Sequence, residues 1–235
     1  VNHDVGPPEI VSVRIWSSNQ DSLWAKIGDT VFVELIANEP LSSSSIQIGG
    51  RNSTQEIPAN SPTHHGYIIM DNSDNENCLQ LLVSYSDLGG LSGADTDSTT
   101  DGSRVCFDKT PPQISNVSIK TNNAYSDSLA KTGDTDTLLF SISEIMRDIN
   151  LILADNENTP TRDSLNFTAT HTFVGTEEEG MVGFNIFVTD SAGNNSDSIS
   201  TTSDLSQVRY DKTLPILDSY FIYSNNSNDT SLCII

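Results

Sequence analysis

Short runs of alternating apolar and polar residues recur along this chain at a spacing close to the length of one domain. The run 9–15, Glu-Ile-Val-Ser-Val-Arg-Ile, alternates as a strand with one buried face does. Its copy, Gln-Ile-Ser-Asn-Val-Ser-Ile, lies at 113–119, and a third copy begins at Ile216. The pattern therefore predicts that the same first strand opens each of several repeats.

A second strand follows each copy of the first. A Gly-Asp pair at 28–29, repeated at 133–134, supplies turn chemistry before it. Its buried face is apolar in both copies, with Val33, Leu35 and Ala37 in one and Leu138, Phe140 and Ile142 in the other. No helical periodicity of three turns or more accompanies these strands. The sequence therefore predicts an all-β fold, in which each repeat is a β-sandwich of about seven strands.

A proline-containing motif separates the repeats. Asp-Lys-Thr-Pro-Pro at 108–112 returns as Asp-Lys-Thr-Leu-Pro at 211–215, and Asp-Val-Gly-Pro-Pro at 4–8 is a degraded copy. Because these motifs lie one domain length apart, each is expected to mark a domain boundary in an extended array. The predicted units are the end of a preceding repeat at 1–6, repeat 1 at 7–110, repeat 2 at 111–213, and the first strand of a truncated third repeat at 214–235.

Composition restricts the classes of function. The chain has 235 residues and a formal net charge of -21, from 32 acidic and 11 basic residues. This charge argues against binding to nucleic acid or to anionic membrane surfaces and favours divalent cations. No apolar run is long enough to insert into a membrane, and Val1 does not begin a signal peptide, so an export signal or anchor is expected outside this segment.

Three stretches together resemble the bacterial Ig-like repeats of large cell-surface adhesins. They are Phe-Ser-Ile-Ser-Glu at 140–144, Val-Thr-Asp-Ser-Ala-Gly-Asn at 188–194, and Val-Arg-Tyr-Asp-Lys-Thr-x-Pro at 208–215. The first repeat departs from this pattern, with Asp-Leu-Gly-Gly at 87–90. The resemblance implies tandem Ig-like sandwiches at the extracellular cell surface, and such repeats serve as stalks, adhesive tips and spacers alike.

Two cysteines are predicted to form a disulfide in repeat 1. Strand parity places Cys78 and Cys106 on the outer face of neighbouring antiparallel strands, and repeat 2 replaces both together, with Met181 and Arg209. The alternative is two unpaired thiols. A disulfide would imply an oxidising, extracytoplasmic compartment. Any partner of Cys233 is expected outside this segment.

Catalytic signatures are missing from the sequence, and an enzyme is not expected. The four histidines have no metal-ligand spacing, and no phosphate-binding glycine loop or nucleophile elbow is present. His64 and His65 are adjacent on a predicted strand and are interpreted as surface or edge residues. If a repeat were itself a binding module for glycan or protein, these two and Tyr67 would be its first candidate residues.

Carboxylates are predicted to gather at one pole of each repeat, because the second and penultimate strands return to the pole where the first begins. The candidate ligands are Asp4, from the incoming linker, with Glu39, Asp87 and Asp101 for repeat 1, and Asp108, from the next linker, with Glu144, Asp190 and Asp204 for repeat 2. Clustered carboxylates repel one another unless a cation lies among them, and oxygen ligands of this kind suit Ca²⁺. Two interpretations stay open: calcium stiffens each junction, or the acids are solvated loop residues.

Six Asn-x-Ser/Thr sequons are candidates for N-glycosylation. They lie at Asn52, Asn116, Asn166, Asn194, Asn225 and Asn228.

The sequence thus favours a non-enzymatic stalk of a long extracellular adhesin or filament. Its expected partners are neighbouring repeats of the same chain, with other copies in a fibre or a host surface ligand as further candidates. Two alternatives stay open, a ligand-binding Ig-like module and an accessory domain of a secreted hydrolase.

Overall fold

The computed structural model describes residues 6–222, which form twenty β-strands and no helix. The prediction of an all-β fold is confirmed. None of the elements in this part of the chain is a helix long and apolar enough to cross a membrane.

Two sets of ten strands correspond to the two copies of the sequence pattern. The first set, which we call domain 1, comprises β1 (Ile10–Ser17), β2 (Trp24–Ala25), β3 (Thr30–Ala37), β4 (Leu41–Ile48), β5 (Arg51–Asn52), β6 (Thr54–Glu56), β7 (Thr63–Ile69), β8 (Asn77–Cys78), β9 (Leu81–Asp87) and β10 (Cys106–Phe107). The second set, domain 2, comprises β11 (Ile114–Thr121), β12 (Leu129–Ala130), β13 (Thr135–Ile142), β14 (Met146–Leu153), β15 (Asn156–Glu157), β16 (Thr161–Asp163), β17 (Asn166–Thr172), β18 (Gly180–Met181), β19 (Phe184–Asp190) and β20 (Arg209–Tyr210).

Each domain is a sandwich with the same topology. In domain 1 the sheet β1-β3-β7-β6 faces the sheet β5-β4-β9, and the short strands β2, β10 and β8 form a third ladder at one end. Domain 2 repeats this arrangement with β11-β13-β17-β16, β15-β14-β19 and β12-β20-β18. The sequence predicted about seven strands a domain; the additional ones are segments of two or three residues whose pairing leaves little trace in an apolar pattern.

Strand alternation places the core where the sequence predicts it. In β3 and β13 every second residue is buried, so that Val33 and Leu35 face inward in one domain, and Leu138 and Phe140 do so in the other. Each domain has its own cluster of buried apolar residues. The described part of the chain therefore contains two separate cores.

The strand directions define two poles in each domain. We call the end where β1 or β11 begins the proximal pole and the opposite end the distal pole. The antiparallel partners β3 and β13 return to the proximal pole, as do β9 and β19. The linker 108–112 leaves the distal pole of domain 1 and enters the proximal pole of domain 2, so the two poles meet at this junction.

The third copy of the first strand, expected from Ile216, is not formed in residues 214–222. These residues have no strand, and Ile216 and Ile222 are 92% and 95% exposed. In the two domains the same strand is held by its antiparallel partner, β3 or β13, and no described residue pairs with 214–222. Residues 223–235 lie outside the described residues.

Candidate metal centre at the domain junction

The Asp-Lys-Thr motif at 108–110 ties the linker to domain 1. Asp108 Oδ1 accepts a hydrogen bond from the Thr110 backbone N–H at 3.0 Å. Lys109 Nζ donates to two carbonyl oxygens of the 72–74 loop, at 2.8 and 2.9 Å. Glu76 Oε1 accepts from the Lys109 N–H at 2.9 Å and from the Thr110 hydroxyl at 2.6 Å. Each residue of the motif thus has a defined partner, which explains why this tripeptide recurs at the domain ends.

The second copy of the motif makes the same contacts at the distal pole of domain 2. Asp211 Oδ1 accepts from the Thr213 N–H at 2.9 Å. Glu179 Oε1 accepts from the Lys212 N–H and from the Thr213 hydroxyl, at 2.9 and 2.7 Å. The sequence prediction missed Glu76 and Glu179. Their identical place two residues before Cys78 and Met181 was the signal that could have found them.

Three carboxylates from both sides of the junction lie together. Asp108 follows β10, Glu144 follows β13, and Asp190 ends β19. One carboxylate oxygen of each lies within 4.8 Å of the others. Asp190 is fully buried, and the other two are half-buried. This is the set that strand direction placed at the proximal pole of the second repeat, while metal binding by it stays a prediction.

Two carboxylates of this cluster, those of Glu144 and Asp108, lie in an unfavourable electrostatic environment. Burial raises the pKa of Glu144 to about 6, with further contributions from Asp108, Asp190 and Glu76. Burial also raises the pKa of Asp108, assisted by the negative charges of Asp190 and Glu76, and the Thr110 N–H opposes the rise. The ionised forms of Glu144 and Asp108 are therefore disfavoured unless positive charge enters the cluster.

Asn194 orients Asp190 and links it to the linker. Its backbone N–H donates to Asp190 Oδ1 at 2.8 Å, and its Nδ2 donates to Asp190 Oδ2 at 2.8 Å. The same Nδ2 also donates to the Asp108 carbonyl oxygen at 3.1 Å. Because Nδ2 is the atom to which a glycan would be attached, the contacts disfavour glycosylation of this sequon in the folded chain.

Two further hydrogen bonds connect the domains directly. The turn 191–193 of domain 2 rests on the distal pole of domain 1. Asn19 Nδ2 donates to the Ala192 carbonyl oxygen at 2.7 Å, and Lys26 Nζ donates to the Gly193 carbonyl oxygen at 2.7 Å. The junction is thus ordered by direct contacts as well as by the linker.

The proximal pole of domain 1 has the matching carboxylate at Asp87. This residue is fully buried, and its Oδ1 accepts from the Leu91 N–H at 2.8 Å. Its Oδ2 has no hydrogen-bond partner within residues 6–222, because Leu91 lacks the side-chain amide with which Asn194 satisfies Asp190. Glu39 lies half-buried after β3, and the predicted ligand Asp4 is outside the described residues.

Asp101 and Asp204, the remaining candidate ligands, do not belong to the cluster of three carboxylates. The chain after β9 or β19 runs back along the edge of the first strand, and neighbouring residues Thr100 and Ser203 are hydrogen-bonded to Val13 and Val117. Each acid accepts from a serine two residues later. These contacts assign both acids to local turns at the middle of the first strand, away from the proximal pole.

Cys78 and Cys106 form a disulfide in domain 1. They are directly opposed in the antiparallel ladder of β8 and β10. Met181 and Arg209 are opposed in the same way in domain 2. Cys233 lies outside the described residues.

The other sequons differ in accessibility from Asn194. Asn52, Asn116 and Asn166 are exposed, and Asn116 adopts a left-handed backbone conformation with φ of 53°. Asn225 and Asn228 lie outside the described residues.

The interpretation of His64 as a surface or edge residue is wrong. His64 is fully buried between the sheets of domain 1, with Nδ1 2.8 Å from the Ser44 hydroxyl and Nε2 without a partner among the described residues. Burial, and to a smaller extent the charge of His65, lowers its pKa. The strand parity of β7, in which every second residue faces the core, could have revealed this position.

His65 and Tyr67, the other two candidate ligand-binding residues, belong to cross-strand rows on the outer face of domain 1. His65 Nε2 lies 3.1 Å from Glu34 Oε2. The Tyr67 ring packs against Phe32, which in turn stacks on Trp16. Such rows stabilise a sheet, and they account for both residues without a ligand.

A buried carboxylate in domain 2 was also missed. Asp136 lies on the core face of β13 and is 0% exposed, and neither of its carboxylate oxygens has a partner of normal hydrogen-bond geometry in the described chain. Burial raises its pKa to about 6, opposed by the Thr121 hydroxyl and by His171. His171 is the paired residue on β17 and contacts Glu177 at 3.2 Å. The corresponding pair in domain 1 is Val31 and Ile68, both buried and apolar.

Comparison with known proteins supports the fold alone. No protein-family model matches the sequence, and no curated protein matches it. The I-band fragment I67–I69 of titin aligns with a TM-score of 0.54 and 10% identity, over 88% of this chain and 66% of that one. An E-to-A variant of these three titin Ig domains aligns with the same values. The chain thus spans slightly less than two thirds of the titin fragment.

The fibronectin(III)-like modules of CbhA from Clostridium thermocellum align with a TM-score of 0.41 and 10% identity, over 88% of this chain and 100% of that one. The sandwich topology and the titin alignments lead to one conclusion. The described part of this chain is a tandem pair of Ig-like β-sandwich domains.

Proposed function

We propose that this chain is a non-enzymatic structural segment of a long extracellular, cell-surface adhesin or filament, and that calcium stiffens its domain junctions. The observation that carries the proposal is the cluster of Asp108, Glu144 and Asp190, in which ligands from the linker and from domain 2 meet. A cation bound there would fix domain 2 to the end of domain 1. Tandem domains held in this way act as a stiff spacer.

The chemistry of the cluster favours calcium among common cations. All three ligands are carboxylates, and Ca²⁺ takes six to eight oxygen ligands in flexible geometry. Glu76, whose negative charge acts on both Asp108 and Glu144, adds to the attraction for a divalent cation. A bound cation would also offset the repulsion that, after burial, contributes to the raised pKa of Glu144.

Further features support an extracellular stalk. The Cys78–Cys106 disulfide is of a kind that persists in oxidising compartments. Pro111 and Pro112 restrict the linker backbone, and the hydrogen bonds of Lys109 hold its first residues against domain 1. A chain of such domains resists bending without needing a catalytic or ligand-binding residue.

Calcium is expected to raise the thermal midpoint of domain 2. A ligand that binds only the folded state at 100 times its Kd stabilises it by about 2.7 kcal/mol. For a domain of this size that corresponds to roughly 10 °C or more. Differential scanning calorimetry with Ca²⁺ and with chelator measures the shift, and an unchanged midpoint would contradict the calcium proposal.

Glu144→Gln gives a sharper form of the same test. In chelator the variant is expected to be more stable than the parent, because it removes an ionised group whose pKa burial and neighbouring carboxylates raise. In Ca²⁺ the variant should gain less than the parent, since it lacks one ligand. Glu178→Gln, an exposed residue of the same domain, is the matched control for the change in net charge.

A further inference from the structure

At the distal pole of domain 1, Asn19 and Lys26 donate hydrogen bonds to domain 2, and both residues are also hydrogen-bonded to Asp29. Asp29 Oδ2 accepts from Asn19 Nδ2 at 2.7 Å and from the Lys26 N–H at 2.8 Å. The first bond orients the Asn19 amide so that its second N–H reaches domain 2, and the second fixes the backbone of Lys26, whose ammonium also reaches domain 2. There they donate to the carbonyl oxygens of Ala192 and Gly193, both at 2.7 Å.

The distal pole of domain 2 carries the same donor pair. Asp134 Oδ2 accepts from Asn123 Nδ2 at 2.6 Å and from the Lys131 N–H at 2.9 Å. Among residues 6–222, the second N–H of the Asn123 amide has no acceptor. The Lys131 side chain is 65% exposed, and its Nζ lies 3.5 Å from Asp134 Oδ1. The residues whose donors bind a turn at the distal pole of domain 1 are therefore also present at the distal pole of domain 2, where, within residues 6–222, the Lys131 ammonium contacts only the Asp134 carboxylate.

The feature that these donors recognise is a backbone conformation. The Ala192 and Gly193 carbonyls are presented by a turn in which Gly193 has φ of 86° and its N–H donates to the Asp190 carbonyl at 3.3 Å. Because the acceptors are main-chain oxygens, recognition does not depend on the side chains at 192 and 193.

Domain 1 presents the same turn at its own proximal pole. Gly90 has φ of 87°, and its N–H donates to the Asp87 carbonyl at 3.2 Å. The Leu91 N–H donates to Asp87 Oδ1 at 2.8 Å, as the Asn194 N–H does to Asp190. Gly89 and Gly90 thus offer two carbonyl oxygens in the arrangement that Asn19 and Lys26 bind in the observed junction.

We propose that Asn123 and Lys131 at the distal pole of domain 2 form a docking site for the proximal turn of another Ig-like domain of this kind, such as the turn 88–90 of domain 1. Docking joins the domains head to tail. This inference rests on the proposed role as a spacer and specifies the contact that fixes the direction of the array. It requires no cation.

The test extends the two-domain chain by a second copy of itself. Residues 9–213 are appended after Pro215, which keeps the register because Pro215 corresponds to Pro8. Small-angle X-ray scattering in chelator is expected to give the pair-distance distribution of an extended particle with a defined maximum dimension. Lys131→Met leaves the backbone N–H bond to Asp134 intact. Introduced into the first copy only, it should reduce the maximum dimension and broaden the pair-distance distribution.

Matched variants make the outcome unambiguous. Lys26→Met in the first copy should loosen the observed junction to a similar extent, and calorimetry should show unchanged domain midpoints for both variants. The proposal is overturned if Lys131→Met leaves the profile of the parent unchanged, whatever Lys26→Met does. Because every measurement is made in chelator, failure here is separate from failure of the calcium proposal.

Discussion

Removing the Cys78–Cys106 disulfide is expected to lower the free energy of unfolding of domain 1 by about 3.5 kcal/mol, the loop-entropy value for a bridge across 28 residues. The reason is that the open chain gains conformational freedom mainly in its unfolded state. Calorimetry of the Cys78→Ala/Cys106→Ala variant should therefore show a lower midpoint for domain 1. Domain 2 should be unaffected, because its core is separate.

Domain 2 offers a matched control in which a disulfide is added instead of removed. Met181 and Arg209 are opposed in domain 2 as the two cysteines are in domain 1. Met181→Cys/Arg209→Cys should form a bridge and raise the midpoint of domain 2. If instead removal of the native disulfide leaves the thermal midpoint of domain 1 unchanged, the disulfide contributes no net stability to the sandwich.

Replacing Asp136 by valine is expected to stabilise domain 2 by about 3 kcal/mol at pH 7.5. The value follows from the rise of the pKa from 3.8 to about 6, at 1.36 kcal/mol a pKa unit. Valine is the residue that domain 1 has at this place, where Val31 is 0% exposed. Urea unfolding of the variant and the parent measures the difference.

The stabilisation of domain 2 by Asp136→Val should increase as the pH rises. The raised pKa of Asp136 means that its contribution to stability is fully present below pH 3.8 and is lost as pH rises to about 6. The difference between variant and parent should therefore grow between pH 4 and pH 6 and remain constant above. A difference that does not change across this interval would show that Asp136 keeps its ordinary pKa in the folded domain.

Val31→Asp in domain 1 is the reciprocal control. It buries a carboxylate opposite Ile68, where no histidine is available, and should destabilise domain 1 by at least as much as Asp136 destabilises domain 2. Together the two substitutions test whether the Asp136–His171 pair lowers the cost of burying an acid in this sheet.

Much of the fold could be predicted because strand parity is local. Val33 and Leu35 face the core in the structure as in the pattern, and the repeat of that pattern identifies the equivalent strand of the second domain. The same parity places His64 on the core face of β7 and His65 on the opposite face, since every second residue of this strand is buried. The segment from Ile216 shows the limit of a local pattern, since a strand also needs a partner.

The candidate site was predictable only where strand direction alone determines position. Glu144 follows β13 and Asp190 ends β19, and both strands return to one pole, so the proximity of the two acids follows from topology. Asp101 and Asp204 sit in loops, whose path along the first strand depends on hydrogen bonds that no pattern displays. Glu76 enters the junction through contacts to Lys109 and Thr110, which only the folded linker creates.

The disulfide of domain 1 also changes how the two domains would lengthen under tension. Force applied along the array reaches domain 1 through β1 and leaves through β10. The Cys78–Cys106 bond transmits this force covalently, so the chain between the two cysteines does not extend. At roughly 3.3–3.6 Å a residue, the 28-residue separation keeps about 95 Å of chain out of the extended length. Domain 2 has Met181 and Arg209 at these positions, so its whole chain would extend when the domain unfolds. Domains that extend by a short length and domains that extend by a long length would then alternate along the array.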